Sequence, residues 1–294
     1  MYGLSGDHVM VVSKYFKTIN DFINLELVCK KFRGNMEKFH FNPIPLNSKT
    51  FKYFPNIETL HLWDIDDEGF FDGFLINAKE KKKCGDKAVS KKKLCLIVWF
   101  EVDFETIDRI QSRKIKYQNV TYTQYNRKKY GNNIPSGVSS IDDMCFDGCS
   151  NLSSVIIPSS VTSIGNYCFY ECSNLRSLTI PLGVISIGYN CFNKCSSLSS
   201  VIIPPSVTSL GEYCFGECSN ICSVIIPSSV RSIGDYCFYK CKSLSSINIS
   251  PIVTSIGDYC FDECSSLSSI TIPSSVISIN DNCFLSNTIV HQSK

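Results

Sequence analysis

From Ile134 to Phe284 the chain repeats one order of apolar and polar positions every 23 residues. The units open at Ile134, Ile157, Ile180, Ile203, Ile226, Ile249 and Ile272 with no insertion between them. A fixed period of this length marks a solenoid, in which each unit buries its apolar face only against its neighbours. One unit reads IPSSVTSIGNYCFYECSNLRSLT (157–179). Its end alternates with period two, so Leu178 and Ile180 are expected inward and Ser177 and Thr179 outward on a strand. Stacked units then pair these strands into a parallel sheet. An unvarying Phe column (Phe146, Phe169, Phe192, Phe215, Phe238, Phe261, Phe284) is expected as a stacked core spine. The Gly column (Gly165, Gly188, Gly211, Gly234, Gly257) is expected at a sharp turn with positive φ. An acidic or amide column after it (Asp143, Asn166, Glu212, Asp235, Asp258, Asp281) suits the opening of a short helical turn. Proline ends each strand at Pro158, Pro181, Pro204, Pro227 and Pro273, with Ser250 and Pro251 exchanged in the sixth unit.

Written as L-x-x-I-x-I-P-x-x-V-x-x-I-G-x-x-(A/C)-F-x-x-C, the unit resembles the BspA-like leucine-rich repeats of some protozoa and anaerobic bacteria. The resemblance covers residues 134–284, with Cys where that family often has Ala before the Phe. It implies an α/β leucine-rich-repeat solenoid of 23-residue repeats with a stacked parallel sheet. It also implies a binding or scaffolding role, since exposed columns on a fixed frame are free to carry specificity. Some members of that family are surface antigens or adhesins.

The segments before the array follow different patterns. Residues 1–45 read as a small helical head, with apolar positions at Val9, Val12, Tyr15, Phe16, Phe22, Ile23, Leu25, Leu27, Val28 and Phe32 and a capping box at Thr18 and Asp21. The run LELVCKKF (25–32) resembles the end of an F-box, which implies docking to an adaptor of ubiquitin ligases; the usual Leu-Pro start is replaced by Leu4-Ser5. The other reading is a helical cap over the open end of the solenoid. Residues 46–133 read as irregular, diverged units: strands over 54–63, 94–102 and 114–125, and a helix over 104–111. Within them Lys79–Lys93 holds eight lysines with one Glu and one Asp. Without Arg or interleaved aromatics, this run reads as a solvated loop rather than a nucleic-acid contact. The regular array, 134–294, is the third part.

Charge separates the parts: 6 Lys and Arg face 11 Asp and Glu from residue 134 onward, against 23 and 16 before it. No stretch of about 18 apolar residues spans a bilayer. No secretory signal is evident, so the expected compartment is the cytoplasm, with display at the cell surface by unconventional export as the alternative. Fourteen of the 17 cysteines fall in the repeats, mostly in pairs four apart such as Cys168/Cys172. A thiol ladder for metal and plain buried packing both fit that spacing. The absence of accompanying His and the flanking of the Phe column favour packing. The four histidines are scattered, and the repeat glycines come singly, so no catalytic, cofactor or metal site is expected. Before each second cysteine stand Gly148, Glu171, Lys194, Glu217, Lys240 and Glu263, which predicts a salt-bridge ladder between units.

One surface invites a partner. The outward strand columns hold serine throughout, including Ser200 and Ser223, beside Ile156, Thr179, Ile202, Ile225, Asn248 and Thr271. Isoleucine on a solvated strand has no packing role inside a monomer, although strand propensity alone also selects it. The expected partner is a protein or a second copy of this chain.

Overall fold

The computed structural model describes residues 13, 15–28, 32–46, 49–67, 95–277, 279 and 281–293. The lysine-rich run 79–93 lies outside the described residues, as do Leu4-Ser5 and 29–31 of the stretch resembling an F-box. The chain divides into two compact units, Met1–Asn119 and Val120–Lys294.

In the first unit, helix α1 (Ile19–Val28) opens at Thr18, whose amide and hydroxyl both donate to Asp21 Oδ2. Its buried face is Phe22, which meets the rings of Phe16, Phe39 and Phe54 edge to face. Strand β1 (Thr59–Leu62) pairs in parallel with β2 (Cys95–Asp103), and their alternate residues Leu60, Leu62, Leu96 and Val98 join the same core. Asp103 caps α2 (Phe104–Ile110) by accepting the Thr106 amide. The strand and helix expected over 94–102 and 104–111 therefore stand in place, while the strand expected over 54–63 forms only at Thr59–Leu62.

Strand β3 (Ile115–Tyr122) leads into the second unit, where Thr121 and Tyr122 pair with Ser140 and Ile141 of β4 (Ser140–Ile141). The strand expected over 114–125 stops at Tyr122 and gives way to helix α3 (Gln124–Tyr130). Thr123 and Asn126 form a reciprocal capping box at its start, and Gly131 ends it. Arg127 of this helix donates to the Cys145 carbonyl and lies over the Phe146 ring, covering the first layer of the spine.

Beyond it the array is a parallel β-solenoid with a 23-residue step, and each coil from 134 to 271 contributes two strands. The longer strands are β5 (Ser154–Ile156), β7 (Ser177–Thr179), β9 (Ser200–Ile202), β11 (Ser223–Ile225), β13 (Ser246–Asn248), β15 (Ser269–Ile272) and the terminal β16 (Ile289–Gln292). The shorter are β4, β6 (Ser163–Ile164), β8 (Ser186–Ile187), β10 (Ser209–Leu210), β12 (Ser232–Ile233) and β14 (Ser255–Ile256). Register is strict, with Ser177 opposite Ser200, Leu178 opposite Val201 and Thr179 opposite Ile202. Leu178 and Ile180 are buried while Ser177 and Thr179 face outward. Between the strands Pro158 opens a β-turn closed by the Val161 amide, and the same turn recurs in later units.

Two expectations within the unit are corrected. The segment after each glycine contains no helix; it is a run of turns with two left-handed residues four apart, such as Tyr167 (φ 53°) and Glu171 (φ 54°). That alternation points every second amide along the stack: Tyr167, Phe169 and Glu171 donate to the carbonyls of Tyr189, Cys191 and Asn193 in the next unit. The turns thus form a third hydrogen-bonded ladder, and the Phe spine stacks behind it at ring separations of 5.0–5.6 Å. The glycine column, in turn, does not carry positive φ. A Cβ at Gly188 would lie 2.5 Å from the Asn166 amide nitrogen, so close approach of the preceding unit is what demands glycine there. The acidic or amide column next to it opens a short 3-10 turn only at Asp281 (Asp281–Cys283); earlier it spans units, Asp143 Oδ1 accepting the Asn166 amide at 2.7 Å and Asn166 Oδ1 that of Tyr189 at 3.0 Å.

Candidate functional site

The longer strands present the expected columns on one face. Ile156, Thr179 and Ile202 stand side by side across β5, β7 and β9, and Ile225 stands opposite Asn248 across β11 and β13. Ser200 and Ser223 lie one pleat earlier on the same side, and Thr271 takes the equivalent place on β15. All eight side chains are exposed. Ile156 is 84% exposed and Ile202 and Ile225 each 71%, while the intervening Val201 and Val224 point into the core. Alternation thus fixes the frame from inside and leaves the outer columns unconstrained by packing. Arg176 is the sole charged side chain at the exposed positions of these strands and those just before them in β5–β15, so the face is sparsely charged, hydroxyl-rich and locally apolar. Asn248 and Thr271 line a depression of about 390 Å³ between β13 and β15.

A second apolar spot that the outward strand columns do not include, Leu182 and Ile185, lies on the shorter-strand side. Its signal was present in the alternation Val184-Ile185-Ser186-Ile187, where Val184 and Ile187 are buried. The first unit also holds a cluster of part-exposed rings, Phe41, Trp63 and Trp99 around His61, in which Trp99 Nε1 donates to His61 Nδ1 at 3.0 Å. Burial holds the His61 pKa below its ordinary value. Two strands distant in sequence create that cluster, so no local spacing announced it.

The charged column before each second cysteine lines a groove of about 600 Å³. Its residues form two separate ion pairs rather than a continuous ladder. Lys194 meets Glu171 at 2.8 Å, and Lys240 meets Glu263 at 3.6 Å. Lys194 also donates to Tyr170 Oη, and these bonds to Glu171 and Tyr170 raise its pKa while lowering that of Glu171.

The repeat thiols pack inside. From Cys172 to Cys264 each second cysteine donates its S–H to the Phe carbonyl of the preceding unit, as Cys172 does to Phe146 at 3.1 Å and Cys218 to Phe192 at 3.0 Å, whereas Cys149 of the first unit turns to the Asp147 carbonyl. Burial pushes Cys145 up to about 12 and Cys168 well above the ordinary thiol range. Cys222 is the exposed exception among the repeat cysteines. Among the described residues no three His, Cys, Asp or Glu side chains group to hold a metal ion, and no helix is long and apolar enough to cross a membrane.

The model of the BspA type leucine rich repeat region matches this chain in six copies over residues 121–241 and 185–292. No curated protein matches the sequence. Among solved structures, a leucine-rich repeat protein from Bacteroides ovatus is 26% identical, with 60% of this chain and 52% of that chain aligned and a TM-score of 0.42. The T. pallidum leucine rich repeat protein is 25% identical over 51% of this chain and 78% of that one, with a TM-score of 0.42. A leucine rich cell surface protein from Faecalibacterium prausnitzii is 22% identical over 79% and 65%, with a TM-score of 0.39. The chain thus spans about half the length of the Bacteroides protein.

Proposed function

Because the chain belongs to the BspA-type leucine-rich repeat family, we propose that it is a non-enzymatic binding or scaffold protein that holds a protein partner, or a second copy of itself, against its longer-strand face. The observation that carries this reading is the exposure of Ile156, Ile202 and Ile225 on a sheet whose neighbouring positions are serine and threonine. Solvated isoleucine ringed by small hydroxyl side chains suits the apolar centre and polar rim of an interface. Leu182 and Ile185 lie within one unit, whereas Ile202 and Ile225 occupy equivalent places in successive units and extend toward Ile156. The sparsely charged face favours a partner surface without dense charge.

Affinity capture with the unaltered chain and with Ile202→Asp/Ile225→Asp tests the assignment. The double variant is expected to lose its partner while circular dichroism and melting temperature stay near those of the unaltered chain. Undiminished capture by the folded variant would move the site elsewhere. We place the protein in the cytoplasm, where its many unpaired thiols stay reduced. Surface biotinylation of intact cells separates this from display at the cell surface: labelling of the chain would contradict a cytoplasmic location.

A further inference from the structure

Each junction between consecutive units of the array can be held by three sets of backbone bonds: the longer-strand sheet, the shorter-strand sheet and the turn ladder. Between 157–179 and 180–202 all three are present, through β7 with β9, β6 with β8, and the amides of Tyr167, Phe169 and Glu171. The next junction differs. Between 180–202 and 203–225, β8 does not pair with β10, nor β9 with β11. The flanking amides agree. Ile185 and Arg231 donate to the unit before them, as do Gly188 and Gly234, whereas the equivalent Thr208 and Gly211 do not. Cys222 likewise lacks the bond that Ser199 and Ser245 make. Yet the turn ladder crosses unbroken, with Asn190 to Glu212 at 2.8 Å, Phe192 to Cys214 at 2.9 Å and Lys194 to Gly216 at 2.8 Å. The rings of Phe192 and Phe215 also stay stacked at 5.4 Å. Between 226–248 and 249–271 only the longer-strand pairing is missing, for β12 still pairs with β14.

Two side-chain differences accompany the gap, although the next junction keeps both pairings without a Glu212 bond to the Asp235 amide. At the preceding junctions Asp143 and Asn166 accept the amide of the equivalent residue one unit on. Tyr189 occupies that column next and has no acceptor in reach of the Glu212 amide. The Gly211 Cβ position faces Tyr189 Cα at 3.2 Å, where Gly188 faces the Asn166 amide at 2.5 Å. Asn190 meanwhile stands in the column of Tyr213, Tyr236 and Tyr259, so the ring stack of those tyrosines does not extend back across this junction. At the proline corner a single side-chain link remains, the Ser206 hydroxyl on the Leu182 and Val184 carbonyls.

We propose that this junction is a hinge within the array. The turn ladder and the Phe spine form its pin, and the two sheet faces open and close about it. Ile202 and Ile225 flank the opening, so its movement changes the spacing of the two central isoleucines. The hinge rests on the bonding pattern alone and stands whether or not that face holds a partner. Amide hydrogen exchange on the free, intact chain tests it. Thr208, Gly211 and Cys222 should exchange at least about tenfold faster than Ile185, Gly188 and Ser199 before them and Arg231, Gly234 and Ser245 after them. Tyr189→Asp, which restores an acceptor for the Glu212 amide, should slow exchange at Thr208 and Gly211. Equal protection in the three units, or no response in a folded Tyr189→Asp chain, would overturn the hinge.

Discussion

Glycine and left-handed residues change roles when the stack is considered rather than the single turn. Gly188 and Gly234 have ordinary φ, but a Cβ there would sit 2.5 and 2.7 Å from backbone nitrogens of the preceding unit. Glu217 has φ 57° and carries a side chain where glycine would relax the backbone. Gly188→Ala is therefore expected to destabilise by about 2–3 kcal/mol, while Glu217→Gly should be neutral or stabilising by up to about 1 kcal/mol. Urea midpoints of both variants decide this, and the reverse order would contradict the close-approach account. The buried thiols add a pH dependence. Burial raises Cys145 and Cys195 to about 12, whereas thiols of the unfolded chain ionise near 9. Folding thus favours the neutral thiol, a contribution fully present below about pH 9 and lost as pH rises toward the folded values. With reductant present, the urea midpoint should fall as pH rises above about 9, less steeply in Cys191→Ala. A flat midpoint would show that the thiols are not buried as described. The glycine column itself was legible from its period. Its physical cause was not, because contact between units 23 residues apart leaves no local mark that separates it from positive φ.

The elements follow the same division. Strands were legible because Leu178 and Ile180 alternate with Ser177 and Thr179, a pattern only a half-buried strand explains. The turn ladder was not, because left-handed Tyr167 and Glu171 are residues that rarely adopt that conformation, and Cys168/Cys172 at a spacing of four imitates a helix face. Helix α3 was masked by its Tyr-rich approach, although Thr123, Asn126 and Gly131 mark both its ends. The charged column decorates this ladder in separate pairs, and exposure limits what each contributes. Lys194→Glu should lower the melting temperature at low ionic strength by removing the bond to Glu171 and placing like charges together. The difference should shrink as salt is added. A deficit that salt leaves unchanged would assign the effect to packing of the Lys194 stem on Tyr170 instead.

For the whole molecule, the 23-residue period makes the solenoid and its outward columns legible in the sequence itself. The eight outward residues are all exposed, and strand pairing sets Ile156, Thr179 and Ile202 side by side and Ile225 beside Asn248. The hinge was unreadable for the opposite reason. Tyr189 and Asn190 look like tolerated variation in single columns, and only their joint effect on both sheets distinguishes the junction. The central claim is that partners meet the longer-strand face and not the shorter-strand side. A photo-crosslinking side chain placed at Ile225 in one chain and at Ile185 in another tests it in cells, since both positions are exposed and apolar. The account predicts a discrete crosslinked species from position 225 and none from 185. Crosslinking from 185 alone would contradict it.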